Sequence, residues 1–262
     1  MSLTYGAGPL SRRPADTNYE IDGPAHRIYF HPFGRRVRLE LAGEVVVDTL
    51  GAHLLHETNI LPRLYVPVAD IRPELLEPSD STSHCPFKGD ATYRSVRVGG
   101  AGGDGAVAED GLWLYEHPLE AAPWLAGYAG VYEERFDRLL DEDDEVVGGH
   151  LRDPFHRVDV RHTSRHVRVT GPDGSVLAES TRPLLVAETG IANRFYLPRD
   201  DVRAELERSD TPTACPYKGV GTYWHVAGTK DAAWSYDTPL DGATPLAGHV
   251  SFDGEGIEVT EL

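Results

Sequence analysis

The constraint that weighs most on this chain is that it is written twice. Residues 209–219 read Ser-Asp-Thr-Pro-Thr-Ala-Cys-Pro-Tyr-Lys-Gly and run on through Thr222-Tyr-Trp224. Residues 79–89 read Ser-Asp-Ser-Thr-Ser-His-Cys-Pro-Phe-Lys-Gly and run on to Thr92-Tyr-Arg94. His26-Arg27 and Val37-Arg38 return 130 positions later as His156-Arg157 and Val167-Arg168. Glu57-Thr58, Arg63 and Tyr65 return at 131 as Glu188-Thr189, Arg194 and Tyr196, while Trp113 and Tyr115 return at 121 as Trp234 and Tyr236. A glycine-rich insertion in the first copy accounts for the shorter spacing. Agreement over most of each half, with small length changes at turns, is a tandem duplication rather than a solenoid array. The expected organisation is an N-terminal extension over 1–25, a first repeat over 26–140, a linker over 141–151 and a second repeat over 152–262. The linker is read from Asp141-Glu-Asp-Asp-Glu145 and Gly148-Gly149. Two such units are expected to pack about a pseudo-twofold axis, as an intramolecular pseudo-dimer.

Within a copy the text is that of strands. Ile28, Phe30, Val37, Leu39 and Leu41 are apolar residues separated by polar ones, the period of a half-buried strand. Gly34 and Ala42-Gly43 supply turns, and Glu44–Thr49 is rich in β-branched residues. His53–Thr58 fits a short helix or a strand equally. Asp70 is expected to cap a short helix over Ile71–Glu77, ended by Pro78, and Asp201 one over Val202–Arg208. The glycine-rich stretch Gly99–Gly105 lacks the Gly-Lys-Ser/Thr ending of a phosphate loop and reads as a surface loop. The fold class is therefore all-β with a few short helices.

Charge narrows the partners. Forty-two acidic against 25 basic side chains give a net charge of −17, a field that repels phosphate backbones and anionic headgroups, so neither nucleic acid nor a membrane surface is expected. There is no apolar run near 18 residues and no secretory leader pattern. Two cysteines, one per copy at the same motif position, make no disulfide framework and suit a reducing cytoplasm.

Three recurring sets could carry chemistry. In the Cys-Pro-Tyr-Lys-Gly turn, proline biases Cys215 toward an extended backbone and Gly219 permits a positive φ. Cys215 beside Lys218 reads either as an activated thiol or as a small buried apolar residue. The second set is Glu188, Arg194, Tyr196 and Lys218, in which the cations could hold a carboxylate or phosphate with Glu188 as acid/base, or Glu188 and Arg194 could simply pair. The third is aromatic: Tyr223, Trp224, Trp234 and Tyr236, matched by Tyr93, Trp113 and Tyr115, reads as core or as the wall of a small-molecule pocket. The first-repeat counterparts of the polar set are Glu57, Arg63, Tyr65, Cys85 and Lys88. Arg94 stands where Trp224 would be, so the two copies are not equivalent. The His-Arg pairs at 26–27 and 156–157 read as surface or interface features. No metal ligand set and no cofactor motif is present.

The text Glu188-Thr-Gly190, Arg194-Phe-Tyr-Leu-Pro198, Ser209–Gly219 and Tyr223-Trp224 resembles the bacterial domain-of-unknown-function 427 family, in two copies from about residue 25. Copy two follows the pattern closely; copy one departs at Asn59, Phe87 and Arg94. The resemblance implies a β-tent-like unit of two antiparallel sheets meeting at an angle, an architecture also used by methionine sulfoxide reductase B and the thalidomide-binding domain of cereblon. A nucleotidyltransferase-like label attached to the family finds no nucleotide motif or paired acidic metal ligands in this sequence. The leading functional reading is a cytoplasmic protein binding a small polar or anionic molecule. Its pocket would be lined by Trp224, Trp234, Tyr196 and Tyr223, with Arg194, Lys218 and Glu188 as anchors. The alternatives are an enzyme using Cys215 as a redox or nucleophilic thiol, with Glu188 as a further catalytic candidate, and a structural interaction module.

Overall fold

The computed structural model describes residues 25–99 and 105–262. Residues 1–24 and the heart of the glycine-rich stretch lie outside the described residues, and with them nearly all of the expected extension and loop. The chain divides into two compact units, residues 1–153 and 154–262. In the first unit the strands are β1 (Ile28–Pro32), β2 (Val37–Leu41), β3 (Glu44–Thr49), β4 (His53–Glu57), β5 (Ile60–Pro67), β6 (Leu76–Cys85), β7 (Gly89–Val98), β8 (Ala106–Leu114), β9 (Tyr128–Val131), β10 (Arg138–Asp141) and β11 (Asp144–Glu145). In the second they are β12 (Val158–His162), β13 (Val167–Thr170), β14 (Val176–Ser180), β15 (Leu184–Glu188), β16 (Ile191–Pro198), β17 (Glu207–Arg208), β18 (Thr213–Cys215), β19 (Gly219–Val226), β20 (Thr229–Ser235), β21 (His249–Phe252) and β22 (Glu258–Glu261).

Each unit is a large and a small antiparallel sheet, wired alike except that β11 has no counterpart in the second. The first unit orders its large sheet β1-β4-β5-β9-β8-β7-β6 and its small one β11-β10-β2-β3. The second repeats this as β12-β15-β16-β21-β20-β19-β17, with β18 also on β19, and β14-β13-β22. The duplication read from the text is thus a duplication of topology.

Alternation does the rest. Val37, Leu39 and Leu41 turn inward from the small sheet and meet Leu54, Leu64, Leu112 and Val131 of the large one, forming the inter-sheet core of the first unit. Val167, Val169, Val250 and Phe252 do the same in the second. The opposite face of each large sheet is also covered, by an aromatic cluster. Leu54 and Leu55 are therefore both buried on adjacent positions of β4, which erases the period-two signal and leaves His53–Glu57 ambiguous in sequence.

The two expected helices are absent. Ile71–Glu77 contains only the 3₁₀ turn Pro73–Leu75 before β6 begins, and Asp201 ends the 3₁₀ turn Arg199–Asp201. Asp70 and Asp201 do not cap a helix; they accept hydrogen bonds from Thr49 Oγ1 and Arg182 Nη2. Val202, Ala204 and Leu206 alternate along an extended segment and pack onto the inter-sheet core, while Ile71 and Val202 form isolated bridges to Val47 and Ala178. Burial of every second residue outweighs a helix propensity worth a few tenths of a kcal/mol per residue.

The acidic run is part of the first unit's small sheet rather than a free joint. Asp141 ends β10, accepting two bonds from Arg35 at 2.7 Å, and Asp143 accepts one from Arg38 at 2.6 Å. Only the residues after Glu145 lead toward the second unit. Among the described residues no helix is long and apolar enough to cross a membrane.

Trp224 belongs to this framework. Its neighbours Thr222 and Ser235, and Ala233 opposite it, set its face of the sheet, and it packs on the inter-sheet core with Arg199 over its ring at 4.7 Å and its Nε1–H donating to Ser235 Oγ. Trp224→Ala is expected to lower unfolding stability by about 3 kcal/mol while leaving the aromatic cluster on the other face intact, checked by urea denaturation together with near-ultraviolet circular dichroism.

Candidate functional site

The repeated motif resolves into two halves with separate tasks. Its first half staples a bulge. Asp110 and Asp231 sit at left-handed positions, φ 48° and 52°, where the β7/β8 and β19/β20 registers slip. Ser81 Oγ and Thr211 Oγ1 donate to these carboxylates at 2.7 Å. The serine-aspartate text is thereby a local brace. An open groove of about 480 Å³ lies beside it in the first unit, lined by Glu77, Asp80, Glu109, Asp110 and Arg97 among others; it contains none of the candidate site residues.

The second half builds a clasp. Cys215 pairs with Gly219 across a tight turn between β18 and β19, and Gly219 has φ 113°, with Thr238 O 3.2 Å from where a Cβ would stand. The turn aims Lys218 at Glu188 on the end of β15, and Nζ donates to Oε2. His156 Nε2 donates to the other carboxylate oxygen at 3.0 Å, and Tyr217 lies against the imidazole, ring centres 4.2 Å apart. The first repeat does the same: Lys88 Nζ and His26 Nε2 bond Glu57, and Phe87 stacks on His26 at 4.1 Å. The cysteine, aromatic ring, lysine and glycine of Cys-Pro-Phe/Tyr-Lys-Gly each now have a contact to explain them.

The clasp fixes the shape of the sheet. In strand order β4 and β7 are separated by β5, β9 and β8, which in a flat sheet would hold them roughly 19 Å apart. The ion pair, the edge-to-edge ring stack, and the presence of Ile28 of β1 and Cys85 of β6 in one cluster require the sheet to curl until its two ends meet. The concave face then holds Tyr65, Trp113, Tyr115 and Tyr93, or Tyr196, Trp234, Tyr236 and Tyr223 in the second repeat. Trp113 and Trp234 donate through Nε1 to Tyr65 and Tyr196 Oη at 3.0 and 2.9 Å. Burial drives the phenols of Tyr65, Tyr115, Tyr196 and Tyr236 upward, so at neutral pH they act only as neutral donors and acceptors.

Of the second-repeat candidates, Glu188, Arg194, Tyr196, Cys215, Lys218, Tyr223 and Trp234 share this concave face, and Trp224 does not. Glu188 and Arg194 do not pair. Arg194 instead lies over the Trp234 ring at 5.1 Å and bonds Asp253 at 2.8 Å. Cys85 and Cys215 are free, half-buried thiols packed among the aromatics. In the first repeat Glu57, Tyr65, Cys85, Lys88, Tyr93 and Trp113 take the matching places, whereas Arg63 lies 3.6 Å from Glu133. Among the described residues no group of three or more His, Cys, Asp or Glu is placed to hold a metal ion.

The histidines correct the sequence reading most sharply. Taken there as surface features, they complete the clasp, and the His156 side chain is only 1% exposed. Their recurrence was the available signal. Glu133 carried none, since Gly254 stands in its place in the second copy. The Glu133 carboxyl is buried where β9 leaves β5, and there accepts the Leu64 N–H at 3.3 Å. Burial raises its pKa to about 7 despite Arg63. For Glu188 burial also acts upward, but the hydrogen bond from His156 and the charge and hydrogen bond of Lys218 outweigh it and hold the carboxyl below its ordinary value.

A family model described as a domain of unknown function (DUF427) matches residues 29–142 and again 159–261. No curated protein matches the chain.

Two titrations of opposite sign follow. Because the Glu188 pKa is lowered by folding, its contribution is present above the ordinary carboxylate value and lost as pH falls through the folded one. Glu188→Gln, which leaves Lys218 buried without a counter-charge, is expected to cost about 3 kcal/mol near neutrality, the gap to the parent closing in acid. Glu133 is raised by folding, so stability is full below 4.5 and falls as pH rises to about 7. Glu133→Gln is expected to gain about 3 kcal/mol above neutrality and to flatten that fall. Denaturant titrations across pH check both.

Proposed function

The chain belongs, in both of its halves, to the family described as a domain of unknown function (DUF427), and from its geometry we propose that the second repeat binds a small anionic molecule on its curled aromatic face. The observation that carries this reading is Arg194. Its guanidinium lies along the Trp234 ring, a cation–π arrangement, and its ion-pair partner among the described residues is Asp253, whose side chain is 60% exposed. A counter-ion so exposed is cheap to displace. A carboxylate or phosphate that offers two oxygens and brings apolar surface to the aromatic wall is a better partner.

Lys218 and Glu188 act in this reading as the frame of the site rather than as ligand anchors, since each already satisfies the other. Tyr223 and Tyr236 supply wall and hydrogen-bonding groups. The two unpaired thiols, Cys85 and Cys215, suit a reducing, cytoplasmic setting.

The charge swap at Asp253 tests the sign of the ligand. Thermal-shift titration with a panel of carboxylates, phosphates and nucleotides is expected to find a binder whose affinity falls by roughly tenfold or more in Arg194→Ala. The same binder should tighten several-fold in Asp253→Asn, where the competing carboxylate is gone. A binder indifferent to Arg194, or weakened by Asp253→Asn, would sink the proposal.

A further inference from the structure

The two repeats differ at the one place where a ligand would sit, and the first repeat supplies its own occupant. Tyr132 and Asp253 are equivalent positions, each following the central strand of the large sheet and each pinned by the same backbone bond, Tyr132 N–H to Gly111 O and Asp253 N–H to Ala232 O, both 3.0 Å. From that shared anchor the Tyr132 ring lies against Trp113, ring centres 4.6 Å apart. Arg135 covers the ring at 4.5 Å and Arg63 approaches it at 6.0 Å. Trp113 can sit low enough to receive it because its cross-strand partner is Gly130, where a Cβ would stand 2.1 Å from the indole. Trp113 is left 8% exposed.

In the second repeat the partner of Trp234 is Ser251, the place of Tyr132 is taken by an aspartate, and Arg194 contacts the tryptophan directly. In the first repeat Tyr132 thus stands between Trp113 and the counterpart of Arg194, Arg63, with Arg135 covering it further; in the second, Gly256 replaces Arg135 and Arg194 meets the tryptophan itself.

We propose that Tyr132 is an internal stand-in for the ligand of the second repeat, which is therefore a six-membered aromatic ring bearing a carboxylate, inserted between Trp234 and Arg194. The inference rests on the anion site proposed above and adds the ring. Insertion moves Arg194 from the Trp234 face onto the ligand, as its counterpart Arg63 approaches the Tyr132 ring at 6.0 Å, and transfers its ion pair from Asp253 to the ligand carboxylate. Tyr223, whose ring centre lies 6.1 Å from that of Trp234, forms a side of the slot, in the place that Tyr93 takes in the first repeat.

The test uses the full chain and calorimetric titration with 4-hydroxyphenylacetate, a tyrosine side chain with a carboxylate attached. The expected result is one molecule bound per chain, lost in Arg194→Ala, abolished in Asp253→Tyr, and doubled to two per chain in Tyr132→Ala. Succinate, which has charge but no ring, and 4-methylphenol, which has the ring but no charge, should each bind at least tenfold more weakly. If succinate binds as well as the aromatic acid and still depends on Arg194, the anion site stands and the ring inference falls. If no probe depends on Arg194, both fall. If Tyr132→Ala does not fold by circular dichroism, Asp253→Tyr decides alone: undiminished binding of the aromatic acid by that variant overturns the stand-in.

Discussion

An ion pair between a lysine in a turn and a glutamate at a strand end holds each repeat in its shape. Bringing both charges out of water costs several kcal/mol per ion, and a well-packed apolar pair would often be as stable. What the pair supplies is position. Lys218 and Glu188 sit near opposite ends of the strand order, and their contact with His156 admits only one curvature of the sheet between them. The aromatic cluster, the depth of Tyr196 and the slot beside Trp234 all follow from that curvature. Tyr217 and Phe87 close the clasp from outside by lying on the histidines, so the motif seals its own charges from solvent.

Much of this was legible in the text, and the illegible parts share a cause. The duplication and the alternating strands of the small sheets could be read because each residue there answers to one face and one partner. His53–Glu57 could not be assigned, since the curl buries both faces of β4. Val202, Ala204 and Leu206 alternate as a strand does, but the capping aspartate and the good helix formers around them pointed elsewhere, and only contact with the core decides. The recurring Glu188 and Lys218 were visible as requirements, yet 30 residues of intervening chain hide which partner each takes. Trp224 and Trp234 carry the same chemistry in sequence and lie on opposite faces, the first in the inter-sheet core. Glu133 is singular to one copy, and its burial depends on where β9 departs from β5, which no local pattern encodes.

The copies have kept the frame and changed the furniture around it. Glu57 and Glu188, Lys88 and Lys218, Tyr65 and Tyr196 hold identical contacts, while Gly130 and Ser251, Tyr132 and Asp253, Arg94 and Trp224 have parted. Gly130/Ser251 and Tyr132/Asp253 lie beside the tryptophan of the curl, Arg94/Trp224 on the other face of the sheet, and the glutamate and lysine of the clasp are unchanged. A buried ion pair loses several kcal/mol when either member changes alone, whereas an exposed aspartate and a capping tyrosine can be exchanged without reopening the sheet.

The curl also bears on what the protein does with its unpaired backbone. An open seven-stranded sheet normally presents two long rows of amide groups to any passing strand, which is how sheets recruit one another into aggregates. Here the first repeat places Pro32 in one edge strand and Pro78 in the other, removing donors from both rows. The second breaks its far edge into β17 and β18, two and three residues long. With the ends of each large sheet drawn toward one another, its described edges are short or interrupted by proline, which disfavours intermolecular strand addition. Curvature that serves the aromatic face thus also shortens the backbone border of each large sheet.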